Sequence, residues 1–251
     1  MVDLVVTDNK TKNYFFKNLF ENKSITKIGV RLSSGTDSAL VLFFLAKFIT
    51  ELEKFYITIY PWTGIELNNE LSVAEEKAIK IVDVIRQLYP KVNIKNTHVD
   101  KWLRIPPLEK PQDKKYYSNP AADKFKAENN LDLLISGSTC NPPKEIIESE
   151  KMETMFCKAP KYRHVESVTD SSIWGHTDEK EFPWRYVDKK FIAHQYKKYN
   201  LMENLYPLTE SCVIEKFDIL LEMGANSFPC KTCYWCREKY WAFGSYDGGI
   251  Q

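Results

Sequence analysis

The chain lacks a charge bias, a long apolar run and any internal repeat. Its 251 residues carry a net charge of +1, so bulk charge does not announce a nucleic-acid partner. The longest apolar run, residues 39–49, contains Lys47 and is too short to span a bilayer. The opening Met1-Val2-Asp3-Leu4-Val5-Val6-Thr7-Asp8 has no charged n-region and too little apolar length for a signal peptide. A soluble, cytoplasmic protein with no membrane partner is expected. No segment is low-complexity. Two familiar phosphate-binding signatures are also missing. No Gly-Lys-Ser/Thr closes a Walker loop, and no Gly-x-Gly-x-x-Gly marks a dinucleotide site. What is present is 43% hydrophobic content, enough for one sizeable core and one or two domains.

The most informative stretch is Arg31-Leu32-Ser33-Ser34-Gly35-Thr36-Asp37-Ser38. An apolar run from residue 27 ends in this small-residue turn, and a helix-like apolar run follows at once. The order is strand, tight loop, helix. A helix N-terminus carries unpaired N–H donors and a partial positive charge, so such a loop favours phosphate or pyrophosphate. The plain alternative is a Ser-rich helix start that binds nothing, with Asp37 and Ser38 acting as caps.

Alternating strand and helix patterns point to an α/β protein with a mostly parallel, doubly wound sheet. The pattern predicts strands over 27–32, 55–60 (closed by Pro61), 92–99 and 131–137. It predicts helices over the N-terminal stretch to residue 24, then 37–54, 69–89, 119–129, 189–200 and 213–222. The last is stopped by Gly224, and Asp188 is the expected N-cap of the helix before it. Ligands of such sheets lie beyond the carboxyl ends of the strands. Ser33, residues 60–64 and 100–102, and residues 136–140 would converge there. Residues 138–185 show no regular pattern and form a long, substrate-side insertion. His164, Asp170, Trp174, His176, Trp184 and Arg185 lie in or beside it. The expected division is a main α/β domain over 1–205 and a small helical lobe over 206–251.

That lobe is marked by sulfur. Cys212, Cys230, Cys233 and Cys236 follow a Cys-x17-Cys-x2-Cys-x2-Cys spacing. Two Cys-x2-Cys turns can aim thiolates at one ion, and four thiolates complete a tetrahedral zinc site. Clustered cysteines inside a cell read as a metal site before a disulfide set. An iron–sulfur cluster and free or paired thiols are the alternatives. Trp235, Tyr240, Trp241 and Phe243 read as packing for the lobe. Cys140 and Cys157 stand outside the spacing. Cys140 lies at the predicted mouth of the crevice, where a small apolar residue is the plain reading.

The loop Ser33-Ser34-Gly35-Thr36-Asp37-Ser38 resembles the PP-loop of the ATP pyrophosphatases, Ser-Gly-Gly-x-Asp-Ser, with Ser34 in place of a glycine. Together with the four cysteines it is similar to the 7-cyano-7-deazaguanine synthase family of queuosine biosynthesis. Residues 32–42, Ile135-Ser136-Gly137-Ser138, residues 183–200 with Asp188-Lys189-Lys190-Phe191-Ile192, Leu208-Thr209-Glu210-Ser211-Cys212 and residues 230–243 carry the likeness. Cys140-Asn141-Pro142-Pro143 and Asn119-Pro120 depart from the family's deazaguanine-side residues. The resemblance implies an adenine nucleotide alpha hydrolase-like fold, a homodimer, structural Zn2+, and ATP with Mg2+. It implies adenylation of a deazapurine-like carboxylate or amide, release of pyrophosphate, and attack by ammonia to give an amide or nitrile. Arg31, Leu32, Ser33, Ser34, Gly35, Thr36, Asp37, Ser38, Tyr60 and Gly137 would line the nucleotide, with Asp37, Ser38 and Lys189 catalytic. Arg185 is a further candidate for phosphate contact. The alternative within the same superfamily is a nucleobase or tRNA thiolase using Cys140 or Cys157 as sulfur carrier.

Overall fold

The computed structural model describes residues 3–8, 10–22, 24–66, 73–102, 118–154, 157–163, 180–212 and 228–249. A short antiparallel pair, β1 (Val6–Thr7) and β2 (Lys12–Asn13), precedes α1 (Phe15–Asn22). The main elements follow in alternation: β3 (Lys27–Arg31), α2 (Thr36–Glu51), β4 (Thr58–Glu66), α3 (Ala74–Leu88), β5 (Asn93–Ile94) and β6 (His98–Trp102). Then come α4 (Ser118–Asn129), β7 (Leu133–Ser136), α5 (Lys144–Ser149), β8 (Lys180–Glu181), α6 (Lys189–Lys198) and α7 (Tyr234–Phe243). The sheet runs β5-β4-β3-β7-β8, with β6 also paired to β4, and every pairing in it is parallel.

Alternation along the strands sorts side chains to two helical layers. Ile28, Val30, Ile57, Ile59, Leu133 and Ile135 join the main core beside residues of α1, α2, α3 and α6. Tyr60, Trp62 and Leu134 face the other way, against Ala122 and Phe125 of α4. Helices therefore cover both faces of the sheet. The helix α2 is buried on nearly every side, from Thr36 to Ile49 with Lys47 excepted, which accounts for its long apolar sequence. Phe16, Phe44 and Phe48 pack together, Phe44 and Phe48 stacked at 5.5 Å, and Trp184 packs on Phe16 and Phe44.

Several expected boundaries are corrected. Pro61 does not close β4; the strand runs through it to Glu66. The expected single strand over 92–99 is instead two pieces, β5 and β6. One cause accounts for both. Thr58 N–H donates to Thr26 on the β3 side, so alternation turns the nitrogen of Pro61 the opposite way. There β5 has ended at Ile94 and β6 begins at His98. A proline without an N–H fits where the neighbouring strand leaves a gap. The stretch 138–185 holds α5 and β8, whose only two apolar residues, Ile146 and Ile147, are too few to give a period. The helix α7 was not expected, because its aromatic and charged residues show no clean stripe. The expected helix over 213–222 and Gly224 lie outside the described residues, as do His164, Asp170, Trp174 and His176. Among the described residues no helix is long and apolar enough to cross a membrane.

Candidate functional site

The loop between β3 and α2 lies at the carboxyl edge of the sheet, next to the ends of β7 and the start of α6. Its conformation depends on Ser34, whose φ is +58°. This is the left-handed region, where a side chain costs about 1 kcal/mol and glycine costs little. Serine is held there by neighbours. Its hydroxyl donates to Ser33 O at 2.6 Å, and its own carbonyl accepts from Glu210 N–H at 2.9 Å. A Ser34→Gly variant is expected to be more stable by about 0.5 kcal/mol, the relieved strain partly offset by glycine's unfolded-state entropy. Thermal unfolding checks this.

Gly35 is the N-cap of α2 and no side chain caps that helix. The capping role considered for Asp37 and Ser38 is therefore not the one they play. Ser38 Oγ folds back, donating to Gly35 O at 3.1 Å and accepting from Ser33 N–H at 3.2 Å. Asp37 turns instead to Lys189 at the start of α6. Lys189 Nζ donates to both carboxylate oxygens at 2.7 Å, and both side chains are nearly buried. Asp188 positions that lysine as the N-cap of α6, accepting from Lys190 N–H at 2.8 Å and Phe191 N–H at 3.2 Å. Trp184 Nε1–H donates to Asp37 O at 3.0 Å and Tyr196 O–H to Thr36 O at 3.0 Å, tying the loop to the aromatic core.

The pair belongs to a larger buried charge cluster. Glu238 of α7 lies 4.0 Å from Lys189 Nζ and is fully buried. Arg163 grips Glu238 with two nitrogens, at 3.1 and 2.5 Å. The same guanidinium donates to Thr139 O, Thr139 Oγ1 and Cys140 O. Thr139 Oγ1 stands 3.4 Å from Asp37 Oδ2, closing the ring. Tyr234 O–H donates to Asn141 Oδ1 and Glu238 Oε1. Two carboxylates and two cations balance, as burial demands. Arg163, Thr139, Tyr234 and Glu238 were not singled out from the sequence. Arg163 sits in a patternless stretch, and only the i,i+4 spacing of Tyr234 and Glu238 hinted at a shared inward face.

The other expected nucleotide residues have varied positions. Gly137 packs directly under the start of α2. A Cβ there would lie 2.5 Å from Asp37 C and Ser38 N, both backbone atoms. Gly137→Ala is expected to push the loop outward and cost about 2–3 kcal/mol. Denaturant unfolding measures it. Leu32 is core, with its N–H donating to Trp62 O and its C=O accepting from Thr63 Oγ1. Arg31 ends β3 with its guanidinium 5.5 Å from the Trp62 ring centre. Tyr60 lies mid-strand rather than at the strand end, because β4 continues beyond Pro61. Arg185 lies over the Tyr186 ring at 5.7 Å.

Glu210 flanks the loop through its bond to Ser34. Burial pushes its carboxyl up to about 7, against the pull of Lys77 Nζ at 3.7 Å. Because the folded state favours the protonated form, this group's contribution to stability is complete below about pH 4.5 and is lost as pH rises through 7. Glu210→Gln is expected to flatten the fall in melting temperature between about pH 5 and 8. Parallel melts of the two proteins across that range test it.

The four cysteines are buried and come together: their sulfur atoms all lie within 4.8 Å of one another. Cys230 and Cys236 sulfurs are 3.9 Å apart. A tetrahedral zinc with bonds of about 2.3 Å needs sulfur–sulfur edges of about 3.8 Å, so the set fits. Cys233 is the N-cap of α7, its sulfur accepting from Cys236 N–H, and Cys230 sulfur accepts from Cys233 N–H. Such N–H···S bonds favour thiolates. Cys157 packs against the same cluster. Cys140 is buried away from it, and burial pushes its thiol up to about 11, aided by Asp188.

The site thus joins a loop at a helix N-terminus, a buried Asp–Lys pair at its first turn, and a four-thiol cluster one helix away. No protein-family model matches the chain, and no curated protein matches it.

Proposed function

We propose that the chain is an ATP pyrophosphatase of the PP-loop type, with the adenine nucleotide alpha hydrolase-like form of its parallel sheet. It adenylates a carboxylate or amide for C–N bond formation, on a 7-deazaguanine-like base. The observation that carries the reading is the Asp37–Lys189 pair at the first turn of a 16-residue helix that opens at a carboxyl edge of the sheet. An anion and a cation side by side at a helix N-terminus suit a Mg2+-bound polyphosphate: the cation takes phosphate oxygens, the anion takes the metal.

In this reading the Ser33 hydroxyl and the backbone N–H groups of Ser34, Gly35 and Thr36 serve the β- and γ-phosphates, aided by the dipole of α2. Asp37 would hold Mg2+, a hard cation suited to carboxylate and phosphate oxygens; bound there, it would offset the charge that grows on the departing pyrophosphate. Lys189 shifts from Asp37 to the phosphates. The substrate oxygen attacks the α-phosphorus, the bond to the bridging oxygen breaks, and pyrophosphate leaves. Ammonia then attacks the adenylated carbon and AMP departs. Positioning and charge account for most of the acceleration, since this transfer needs little covalent help. Structural Zn2+ would be held by Cys212, Cys230, Cys233 and Cys236. The thiolase reading gains no support from Cys140, whose buried thiol stays protonated near neutral pH.

The test offers Mg·ATP, ammonia and 7-carboxy-7-deazaguanine to the zinc-loaded protein and measures AMP and pyrophosphate. Both should appear in equal amounts and depend on the acceptor. Binding of ATP with no product from this acceptor rejects the substrate; no ATP binding at all rejects the reading.

A further inference from the structure

We propose that the four-cysteine lobe and the phosphate loop are energetically coupled, with Glu238 as the positioning residue that links them. Metal at the cysteines and nucleotide at Ser33–Ser38 each tighten the binding of the other. The proposal rests on the ATP reading above and goes beyond it.

The helix α7 begins at Cys233, and Cys236 falls in its first turn. A metal held by these sulfurs fixes where α7 starts and how it is rotated. Tyr234 and Glu238 share one side of that helix, four residues apart. That side enters the charge cluster. Glu238 is 0% exposed and Arg163 is 2% exposed, so neither can turn to water. Two routes run from Glu238 to Asp37. One passes through Lys189, at 4.0 Å from Glu238 and 2.7 Å from Asp37. The other passes through Arg163 and Thr139, whose hydroxyl is 3.4 Å from Asp37. A backbone link adds to them: Glu210, two residues before Cys212, donates its N–H to Ser34 O.

The charges explain why Glu238 matters when nucleotide arrives. Asp37 must exchange Lys189 for Mg2+. A lysine leaving its only carboxylate in a buried place is stranded. Glu238 is the second anion beside Lys189, so the exchange leaves the lysine flanked by opposite charge. If α7 loosens, Glu238 shifts, and Arg163 and Lys189 compete for the one carboxylate that remains. Asp37 is then held in the closed pair and is less free to accept metal. Coupling between binding sites is reciprocal by thermodynamic necessity.

The experiment is calorimetric titration of Mg·ATP into the full chain, first zinc-loaded and then stripped with a zinc-selective chelator in excess Mg2+. Stripping is expected to weaken ATP at least about fivefold, and ATP should raise zinc affinity by the same factor. The same pair of titrations is run on the charge-balanced variant Glu238→Gln with Arg163→Gln. It avoids the stranded guanidinium that Glu238→Gln alone would leave. Circular dichroism and a zinc content matching wild type check that it is folded. Its zinc dependence should fall to less than half the wild-type factor, the residue being the backbone link. Equal ATP affinity with and without zinc in the wild type overturns the coupling. So does a folded variant that keeps the full factor, which assigns Glu238 a purely structural role. Absence of ATP binding in every state overturns the ATP reading itself, and the coupling with it.

Discussion

Asp37→Asn is expected to reduce formation of AMP and pyrophosphate by about a thousandfold, and to lower the unfolding free energy by about 3 kcal/mol. The two losses have different origins. Activity falls because the amide cannot hold Mg2+ against the phosphates. Stability falls because Lys189, nearly buried, loses both of its 2.7 Å bonds and keeps only Glu238 at 4.0 Å. Had Asp37 been only a helix cap, the change would cost little, because asparagine caps about as well as aspartate. The double variant Asp37→Asn with Lys189→Met separates the effects. It restores charge balance, so most of the lost stability should return while activity does not. Denaturant unfolding and product assays on the two proteins decide the matter. An active Asp37→Asn enzyme would remove Asp37 from the chemistry.

Cys233→Ser is the second large effect. It should abolish stoichiometric zinc, measured by metal analysis, and lower the melting temperature by about 10 °C or more, since a structural zinc contributes about 10–16 kcal/mol of apparent binding energy. Cys233 is fully buried and also caps α7. Its loss removes a ligand and an N-terminal acceptor at once. Protease sensitivity should rise in residues 228–249, where α7 and three of the four cluster cysteines lie. A brown protein with bound iron in place of zinc would overturn the zinc assignment but leave the four-thiol site in place.

Much of the frame was legible in the chain. The short apolar runs at 27–32 and 131–137, and the longer one that became α2, are local signals. They sit in strands and helices buried on all sides, where the pattern is simplest. Asp188 announced α6 because an N-cap is a local hydrogen-bonding device. The cysteine spacing announced its own cluster because Cys-x2-Cys turns fix ligands over a few residues. The break between β5 and β6 was not legible. It depends on which way the nitrogen of Pro61 faces, and only the register against β3 determines that.

The sequence by itself determined the α/β order, the small-residue loop with Asp37 in its first turn, and the four thiols with metal-site spacing. Each is written in residues close together along the chain. Tertiary structure alone decided what Asp37 does at rest. Its partner is 152 residues away, and the partner's second anion, Glu238, arrives from the last helix. It also decided why residue 137 must be glycine, since the clash is with a backbone that is distant in sequence. Buried charges must find opposite charges from anywhere in the chain, so folding is what assigns the pairs.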